Sequence, residues 1–282
     1  MFFAELAEFD LTRPFRDTAL KKFRKKMNAC AVAVIRHPRP LTDEEHLAFS
    51  RKLGPLLQMK MLLMVGKSKS RLSSAELIDV GNIDVDGRIL PDDDRRRAYN
   101  RGNLLWHTDV SFDPIRGTYS LLAAHVVPPG GAPTEFADMR AAYDALPEAK
   151  QTAIEDLVVE HSIWYSRELA GLKVTDAERA TRPASRHRLV HRHPGSGRKA
   201  LYLACHASHV VGMPVGEGRA LLAELMEHAT QPHFVHRHQW RVGDLVIWDN
   251  LCTMHRGTPF DDARHPRDMR RTTVLEAAGR KN

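Results

Sequence analysis

Short apolar runs dominate the chain, and longer helical stripes are inserted between them. Residues 31–35, 119–127, 134–139, 233–240, 245–248 and 271–275 have the length and composition of strands. Residues 189–193 and 199–203, joined by Pro194-Gly195-Ser196-Gly197, carry a hairpin signature. Helical spacing appears at residues 17–27, where Leu20, Phe23 and Met27 recur on an otherwise basic segment. It appears again after Thr42-Asp43-Glu44-Glu45, a capping box, and Gly54-Pro55 stops that helix. Residues 140–146 and 148–158, separated by Pro147, and residues 215–229 read as further helices. Turn-rich pieces at 84–87 and 91–94 predict a long excursion before residue 104, of the kind that becomes a lid beside a metal site. Residues 59–64 read as a buried strand or as an adaptable methionine-rich wall over a pocket, residues 68–74 as a loop, and residues 166–188 as polar and irregular. Strands joined by hairpin turns rather than by regular crossover helices argue for an antiparallel barrel or sandwich over a doubly wound sheet.

Candidate chemistry enters at Leu104-Leu105-Trp106-His107-Thr108-Asp109-Val110-Ser111-Phe112. Read as a strand, this segment puts His107 and Asp109 on one face with Thr108 turned away. A second apolar run, Trp248-Asp249-Asn250-Leu251-Cys252-Thr253-Met254-His255, ends in another histidine. Two histidines and a carboxylate with coordination positions left open form the facial triad of non-haem Fe(II) oxygenases. A Zn(II) hydrolase uses the same ligand types, and sixteen histidines make chance pairings easy, so the triad alone leaves both readings open. Arg267 and Arg271 stand four apart and share a face if extended. Such a pair can clamp the distal carboxylate of 2-oxoglutarate with one guanidinium and an anionic substrate with the other, or can lie on a solvated strand.

Composition sets limits on these readings. At 282 residues and 43% hydrophobic the chain can bury a sizeable core, and no composition break divides it, so a single domain over 1–282 is expected. A net charge of +7 favours anionic partners and keeps a basic, non-catalytic nucleic-acid-binding protein as the alternative of another class. The basic residues are scattered, however, and runs such as Lys21-Lys22-Phe23-Arg24-Lys25-Lys26 read as solvated faces. Cys30, Cys205 and Cys252 are odd in number and lack Cys-x-x-Cys spacing, so neither a disulfide framework nor a cysteine zinc site is indicated. With no leader-like N-terminus and no run of membrane-spanning length, the expected setting is the cytoplasm, away from membranes.

Taken together, His107-Thr108-Asp109, Thr134, His255, Arg267 twelve residues later and Arg271 sixteen later resemble the taurine/2,4-dichlorophenoxyacetate group of Fe(II)/2-oxoglutarate dioxygenases. The resemblance extends over most of the chain. Pro128-Pro129-Gly130-Gly131 leading to Phe136-Ala137-Asp138-Met139-Arg140, His193-Pro194-Gly195-Ser196-Gly197, and His206-Ala207-Ser208-His209 before Gly212 are similar to its 2,4-dichlorophenoxyacetate branch. Two departures touch neither metal nor cosubstrate positions: Leu251 stands where many relatives have arginine, and residues 5–11 are a short version of the family's opening strands.

The resemblance implies a double-stranded β-helix, the jelly-roll, cupin-like core of that family, with inserted helices. It implies that His107, Asp109 and His255 bind Fe(II), that Thr134 and Arg267 hold 2-oxoglutarate, and that Arg271, assisted by His206, binds the substrate anion. The implied reaction consumes O₂ and 2-oxoglutarate, gives succinate and CO₂, and hydroxylates an aryloxyalkanoate next to its ether oxygen. The hemiacetal formed collapses to a phenol and glyoxylate, a step of aromatic herbicide degradation. The same chemistry on a sulfonate or an alkyl sulfate ester is the near alternative. Leu62, Leu63, Met64, Val110 and Phe112 are candidates for the apolar wall around the ring. The expected partner is a small anionic aromatic molecule rather than nucleic acid or membrane, and the family resemblance points to a homo-oligomer. The remaining members of the histidine-rich set, His187, His191, His193, His233, His236 and His238, are expected to be exposed strand or loop residues.

Overall fold

A computed structural model describes residues 1–58 and 71–277. The predicted residues Met59–Met64, and with them Leu62, Leu63 and Met64, lie outside the described residues. In chain order the elements are β1 (Phe3–Glu5), α1 (Asp17–Cys30), β2 (Val32–Arg36), α2 (Asp43–Leu53), β3 (Ile78–Asp79), α3 (Arg95–Asn100), β4 (Gly117–Val126) and β5 (Thr134–Asp138). They continue with α4 (Met139–Asp144), α5 (Glu148–Ile154), β6 (Val158–His161), α6 (Ile163–Leu169), α7 (Asp176–Thr181), β7 (Ser185–Arg188), β8 (Val190–Arg192) and β9 (Lys199–Leu201). The last are β10 (Ala207–Val210), α8 (Val215–Ala229), β11 (Val235–His238), β12 (Asp244–Asp249), β13 (Thr253–Gly257) and β14 (Asp268–Leu275).

The largest sheet runs β1-β2-β12-β4-β14-β3, and apart from the parallel β1–β2 edge its neighbours are antiparallel. Its central strands are apolar on both faces because both are covered. Ala33, Ile35, Leu121, Ala123, Leu245 and Ile247 pack under α1 and α2 with Phe23, Met27 and Phe49. The alternate residues Val32, Val34, Leu122, Ala124, Val246, Trp248 and Met269 turn the other way, onto Phe136 of a second sheet, β11-β5-β13. Each fully buried aliphatic side chain contributes roughly 2 kcal/mol. This clamp between sheets is therefore what holds the cavity-lining strands in register.

The helix stops follow from local chemistry. Thr42 and Glu45 satisfy each other's backbone N–H groups in the expected capping box, and α2 ends at Gly54. Ala31, at φ +67°, gives its N–H to Met27 and turns the chain from α1 directly into β2. On α2, His46 and Ser50 reach Thr272 of β14 through hydroxyl contacts of 3.2 and 2.7 Å, fixing the helix over the strand that carries Arg271.

Three expectations change. Residues 104–112 are not a strand: His107 makes one antiparallel bridge to His255, and the chain then turns, with Val110 at φ +62°. The predicted helix over 148–158 ends at Ile154, because Val158 already starts β6. The stretch 166–188 is not irregular, since it contains the end of α6, then α7 and β7. α6 and α7 are only two turns long, too short to print a helical period in the sequence. The excursion before residue 104 does pack beside the site, with β3 pairing onto β14 and α3 following it. None of the helices among the described residues is long and apolar enough to cross a membrane.

Candidate active site

His107 and His255 are set by backbone pairing. Each donates its N–H to the other's carbonyl, at 2.9 and 2.8 Å, which brings the two rings to 4.1 Å between centroids. The turn after His107 swings Asp109 into the same space. Its carboxylate stands 3.8 Å from His107 Nε2 and 3.7 Å from His255 Nε2, and all three residues are buried.

The protonation pattern suits a metal. His107 Nδ1 lies 2.7 Å from the Leu105 carbonyl, which can only accept, so Nδ1 carries the proton and Nε2 keeps a bare lone pair. Burial depresses the His107 pKa to about 4 and holds that of His255 well below its ordinary value, so both rings are neutral at neutral pH. Burial by itself would raise Asp109, but Arg271 and the two imidazoles beside it hold its pKa down to about 2. A carboxylate and two neutral nitrogens therefore converge without hydrogen-bonding one another. The one candidate ligand atom of each lies within 4.8 Å of the others, and a divalent ion fits that donor set.

Asp109 is held by Arg271 and by two residues the sequence reading gave no role, Ser120 and Asn250. Ser120 donates to Oδ2 at 2.7 Å and Arg271 Nη1 to Oδ1 at 2.6 Å. Asn250 accepts the Asp109 backbone N–H at 3.3 Å and the Trp248 indole N–H at 3.0 Å, and donates to Ser120 at 2.9 Å. The signal was present in Trp248-Asp249-Asn250, where the polar Asn250 ends an apolar strand.

Around the triad lies a cleft in two lobes that share Val80, Asn100, Asn103, His107 and Arg271. One lobe is lined by Leu122, Thr134, Trp248, His255 and Arg267. Register explains the first four: Thr134 and Phe136 point the same way along β5 and pair with Gly257 and His255 of β13, while Leu122 and Trp248 come from the facing sheet. Arg267 is sunk in protein beside Val80 and Asn82, giving Nη1 to the Val80 carbonyl at 3.0 Å and its backbone N–H to Asn82 at 2.7 Å. No carboxylate among the described residues pairs with it, and desolvation lowers its pKa to about 10. A buried cation without a counter-charge is a receptor for an anion. Thr134 accepts the Trp240 indole N–H at 2.9 Å, so its own hydroxyl proton is free to donate into the lobe.

The other lobe is lined by Asp109, Val110, Phe112, Tyr99, Arg167, Arg182, His206 and Arg271. The structure therefore brings His107, Asp109, His255, Thr134, Arg267, Arg271 and His206 to one cleft, with Arg271 between the lobes and already engaged with Asp109. Val110 and Phe112 line the wall where they were expected. The remaining histidines of the histidine-rich set do not all lie at the surface. His191 is buried and donates Nε2–H to the Leu251 carbonyl at 2.6 Å, and His193 and His238 are buried against Asp249 and Asp244, each at 2.9 Å. Asp249 lies in β12, far from His193 in sequence, so no local pattern announced that pairing, whereas Asp244 stands only six residues after His238. Cys30, Cys205 and Cys252 are free thiols, as expected.

Comparison with known proteins agrees with this geometry. The family model "Taurine catabolism dioxygenase TauD, TfdA family" matches residues 2–273. An alpha-ketoglutarate-dependent 2,4-dichlorophenoxyacetate dioxygenase from Cupriavidus pinatubonensis is 45% identical over 279 residues, covering 99% of this chain and 96% of the relative. An (S)-phenoxypropionate/alpha-ketoglutarate-dioxygenase from Sphingobium herbicidovorans is 36% identical, covering 78% of this chain and 74% of that protein. The crystal structure of AAD-2 in complex with Mn(II) and N-oxalylglycine superposes with a TM-score of 0.92 at 44% identity, covering 98% of this chain and 95% of the other. With a family model matching residues 2–273, a matching fold and near full-length coverage, the chain belongs to the TauD/TfdA family of 2-oxoglutarate-dependent dioxygenases.

Proposed function

We propose that the protein hydroxylates an aryloxyalkanoate of the 2,4-dichlorophenoxyacetate kind at the carbon next to the ether oxygen. The observation that carries the reading is a buried cluster of three residues able to hold a metal, set between two lobes, one of which ends in the unpaired Arg267, in a chain 45% identical over 99% of its length to an enzyme named for that substrate. In this reading His107, Asp109 and His255 hold Fe(II), Thr134 and Arg267 hold the distal carboxylate of 2-oxoglutarate, and Arg271 and His206 face the substrate. Iron with 2-oxoglutarate and O₂ supplies the oxidising power and leaves succinate and CO₂. The core is read as a double-stranded β-helix made by the two facing sheets, in one domain, and a homo-oligomer is carried over from the family.

The chain's own part is placement. Thr134 and Arg267 fix one end of the cosubstrate, and the cleft walls Val110, Phe112 and Tyr99 accept an aromatic ring. His206 is aimed by a buried relay: Ser111 Oγ lies 2.9 Å from His206 Nδ1 and 3.1 Å from His161 Nδ1. His161 Nε2 is buried without a partner, and an orphaned N–H is the rarer and costlier choice. His161 therefore carries its proton on Nδ1 and gives it to Ser111, which gives its own to His206. His206, kept neutral by burial, then presents Nε2–H to the cleft as a donor for a carboxylate. Hydroxylation of the ether carbon makes a hemiacetal, which breaks its carbon–oxygen bond to the ring oxygen and releases a phenol and glyoxylate.

The test is succinate and phenol formation by Fe(II)-loaded protein with 2-oxoglutarate and O₂, comparing 2,4-dichlorophenoxyacetate with taurine and an alkyl sulfate. Succinate and phenol rising together with the aryloxyacetate support the reading. Succinate driven only by a sulfur acid overturns the substrate and keeps the reaction class.

A further inference from the structure

We propose that Arg167 is a second carboxylate receptor in the substrate lobe, acting with Arg271 to select an anionic aryl substrate. The proposal rests on the function proposed above for this cleft. Arg167 sits on α6, in the stretch whose sequence pattern gave no element, and its side chain is buried, with the residue only 6% exposed. It lines the same lobe as Asp109, Phe112, His206 and Arg271.

Each of the other arginines of this lobe has an acid. Arg271 gives Nη1 to Asp109, and Arg182 gives Nη2 to Asp113 at 2.5 Å while lying over the Phe112 ring. Arg167 has none among the described residues. Its side-chain hydrogen bonding is a long 3.4 Å contact from Nη1 to the Ser166 hydroxyl, and its Nε is buried without a partner. What holds it is built for a cation rather than for an ion pair. The guanidinium lies 4.1 Å from the Tyr99 ring centroid, an attraction that leaves its edge donors unused. On the other side it fills the space of the missing side chain at Gly102, where an added Cβ would stand 2.0 Å from Nη1. A guanidinium taken from water and left without an anion is costly unless a ligand completes it. The same logic identifies Arg267 in the opposite lobe, so, the exposed Arg101 aside, the cleft carries one arginine without an acid for each of the two acids the reaction consumes. An aryloxyacetate with its ring against Phe112 and Val110 would meet Arg167 and the His206 donor on one side and Arg271 on the other.

The test uses protein loaded with Mn(II) and N-oxalylglycine, and titrates 2,4-dichlorophenoxyacetate by calorimetry into the parent and into Arg167→Gln, Arg167→Lys and Gly102→Ala. Arg167→Gln is expected to weaken binding of the acid by about ten- to a hundredfold, the worth of a hydrogen-bonded charge, with N-oxalylglycine affinity and melting temperature unchanged. Arg167→Lys keeps the charge but not the fork and should recover part of the loss. Gly102→Ala dislodges the guanidinium without removing it and should weaken the acid in the same direction, which carries the test by the same criteria if Arg167→Gln does not fold. An Arg167→Gln protein that binds the acid as the parent does, or that loses N-oxalylglycine affinity equally, overturns the role of Arg167 while leaving the substrate reading intact. A parent that does not bind the acid overturns both.

Discussion

Two buried clusters in this molecule have nearly the same ingredients and opposite chemistry. His107, Asp109 and His255 form one; His193, Asp249 and Cys252 form the other, equally close-set and equally buried. In the second, the Ser196 backbone N–H donates to His193 Nδ1 at 2.9 Å, so Nε2 holds the proton and gives it to Asp249 Oδ2 at 2.9 Å. Asp249 Oδ1 takes the Leu251 N–H at 3.0 Å, and burial pushes the Cys252 thiol well above its ordinary pKa. Both ring nitrogens of His193 are hydrogen-bonded there and its Nε2–H points at the carboxylate, so the cluster is a clasp between the β8–β9 hairpin and β12. In the first cluster the proton sits on the far side of His107, its Nε2 is bare, and the carboxylate contacts neither ring closely enough to bond. Proximity of ligand types therefore does not make a metal site; lone pairs left unspent do.

The sharpest way to break the comparison is to delete one member of each cluster. His255→Ala removes one of the three candidate ligands and is expected to abolish turnover and Mn(II) binding, read by electron paramagnetic resonance, while the metal-free protein melts close to the parent. Retained Mn(II) binding in that variant would move the metal elsewhere.

The buried histidines that have neither metal role nor acid clasp give the next largest effect. Burial lowers the pKa of His46 to about 4, of His161 to about 3 and of His191 to about 4. In the unfolded chain these groups titrate near 6.5, so between about pH 6.5 and 4 the unfolded state binds more protons, and stability must fall as the pH drops through that window and level off above it. Urea midpoints from pH 5 to 8 test this, and a flat profile between 5 and 6.5 would mean these rings are solvated.

His193→Ala strands the Asp249 carboxylate in the core. The expected cost is about 3 kcal/mol, or roughly 6 to 12 °C of melting temperature, with Mn(II) affinity kept. Loss of metal with little loss of stability would reverse the assignment of the two clusters. Arg267→Ala separates binding from folding again: removing an unpaired buried cation should not lower the melting temperature, whereas affinity for N-oxalylglycine should fall by about ten- to a hundredfold. Unchanged affinity would remove Arg267 from the cosubstrate lobe.

The legibility of these features followed how local their causes are. That His107, Asp109, His255, Thr134, Arg267 and Arg271 gather in one cleft was readable because such residue types suit the expected chemistry and their spacing resembles a known family pattern. The alternation along β5 and β14 then delivered Thr134 and Arg271 to the cleft. The strand geometry expected of residues 104–112 was wrong, since it is the turn at Val110 and not alternation that aims Asp109. His191 and His193 looked like surface residues because their partners Leu251 and Asp249 are brought to them only by the folded sheet, while His238 meets Asp244 six residues on, across the turn into β12. Arg167 was invisible for a related reason: a two-turn helix prints no stripe, and only the absence of an acid in three dimensions distinguishes it from the arginines around it.

The smallest expected effect concerns the support beneath Asp109. Ser120 gives its hydroxyl proton to Asp109 Oδ2 and accepts from the Asn250 amide, so it transmits the position of the β12 end to the Asp109 carboxylate. Ser120→Ala deletes one neutral donor in a buried place and leaves Arg271 on the other oxygen. The loss to folding should be about 1 kcal/mol, because the Asn250 amide is left one bond short. The loss to Mn(II) affinity should be nearer tenfold, the usual effect of removing a group that orients a ligand without touching the ion. His193→Ala predicts the inverse ratio, large in stability and nil in metal. If Ser120→Ala instead lowered the melting temperature and left Mn(II) binding untouched, Asp109 would be positioned by Arg271 alone, and the network from Trp248 through Asn250 would belong with the clasp rather than with the site.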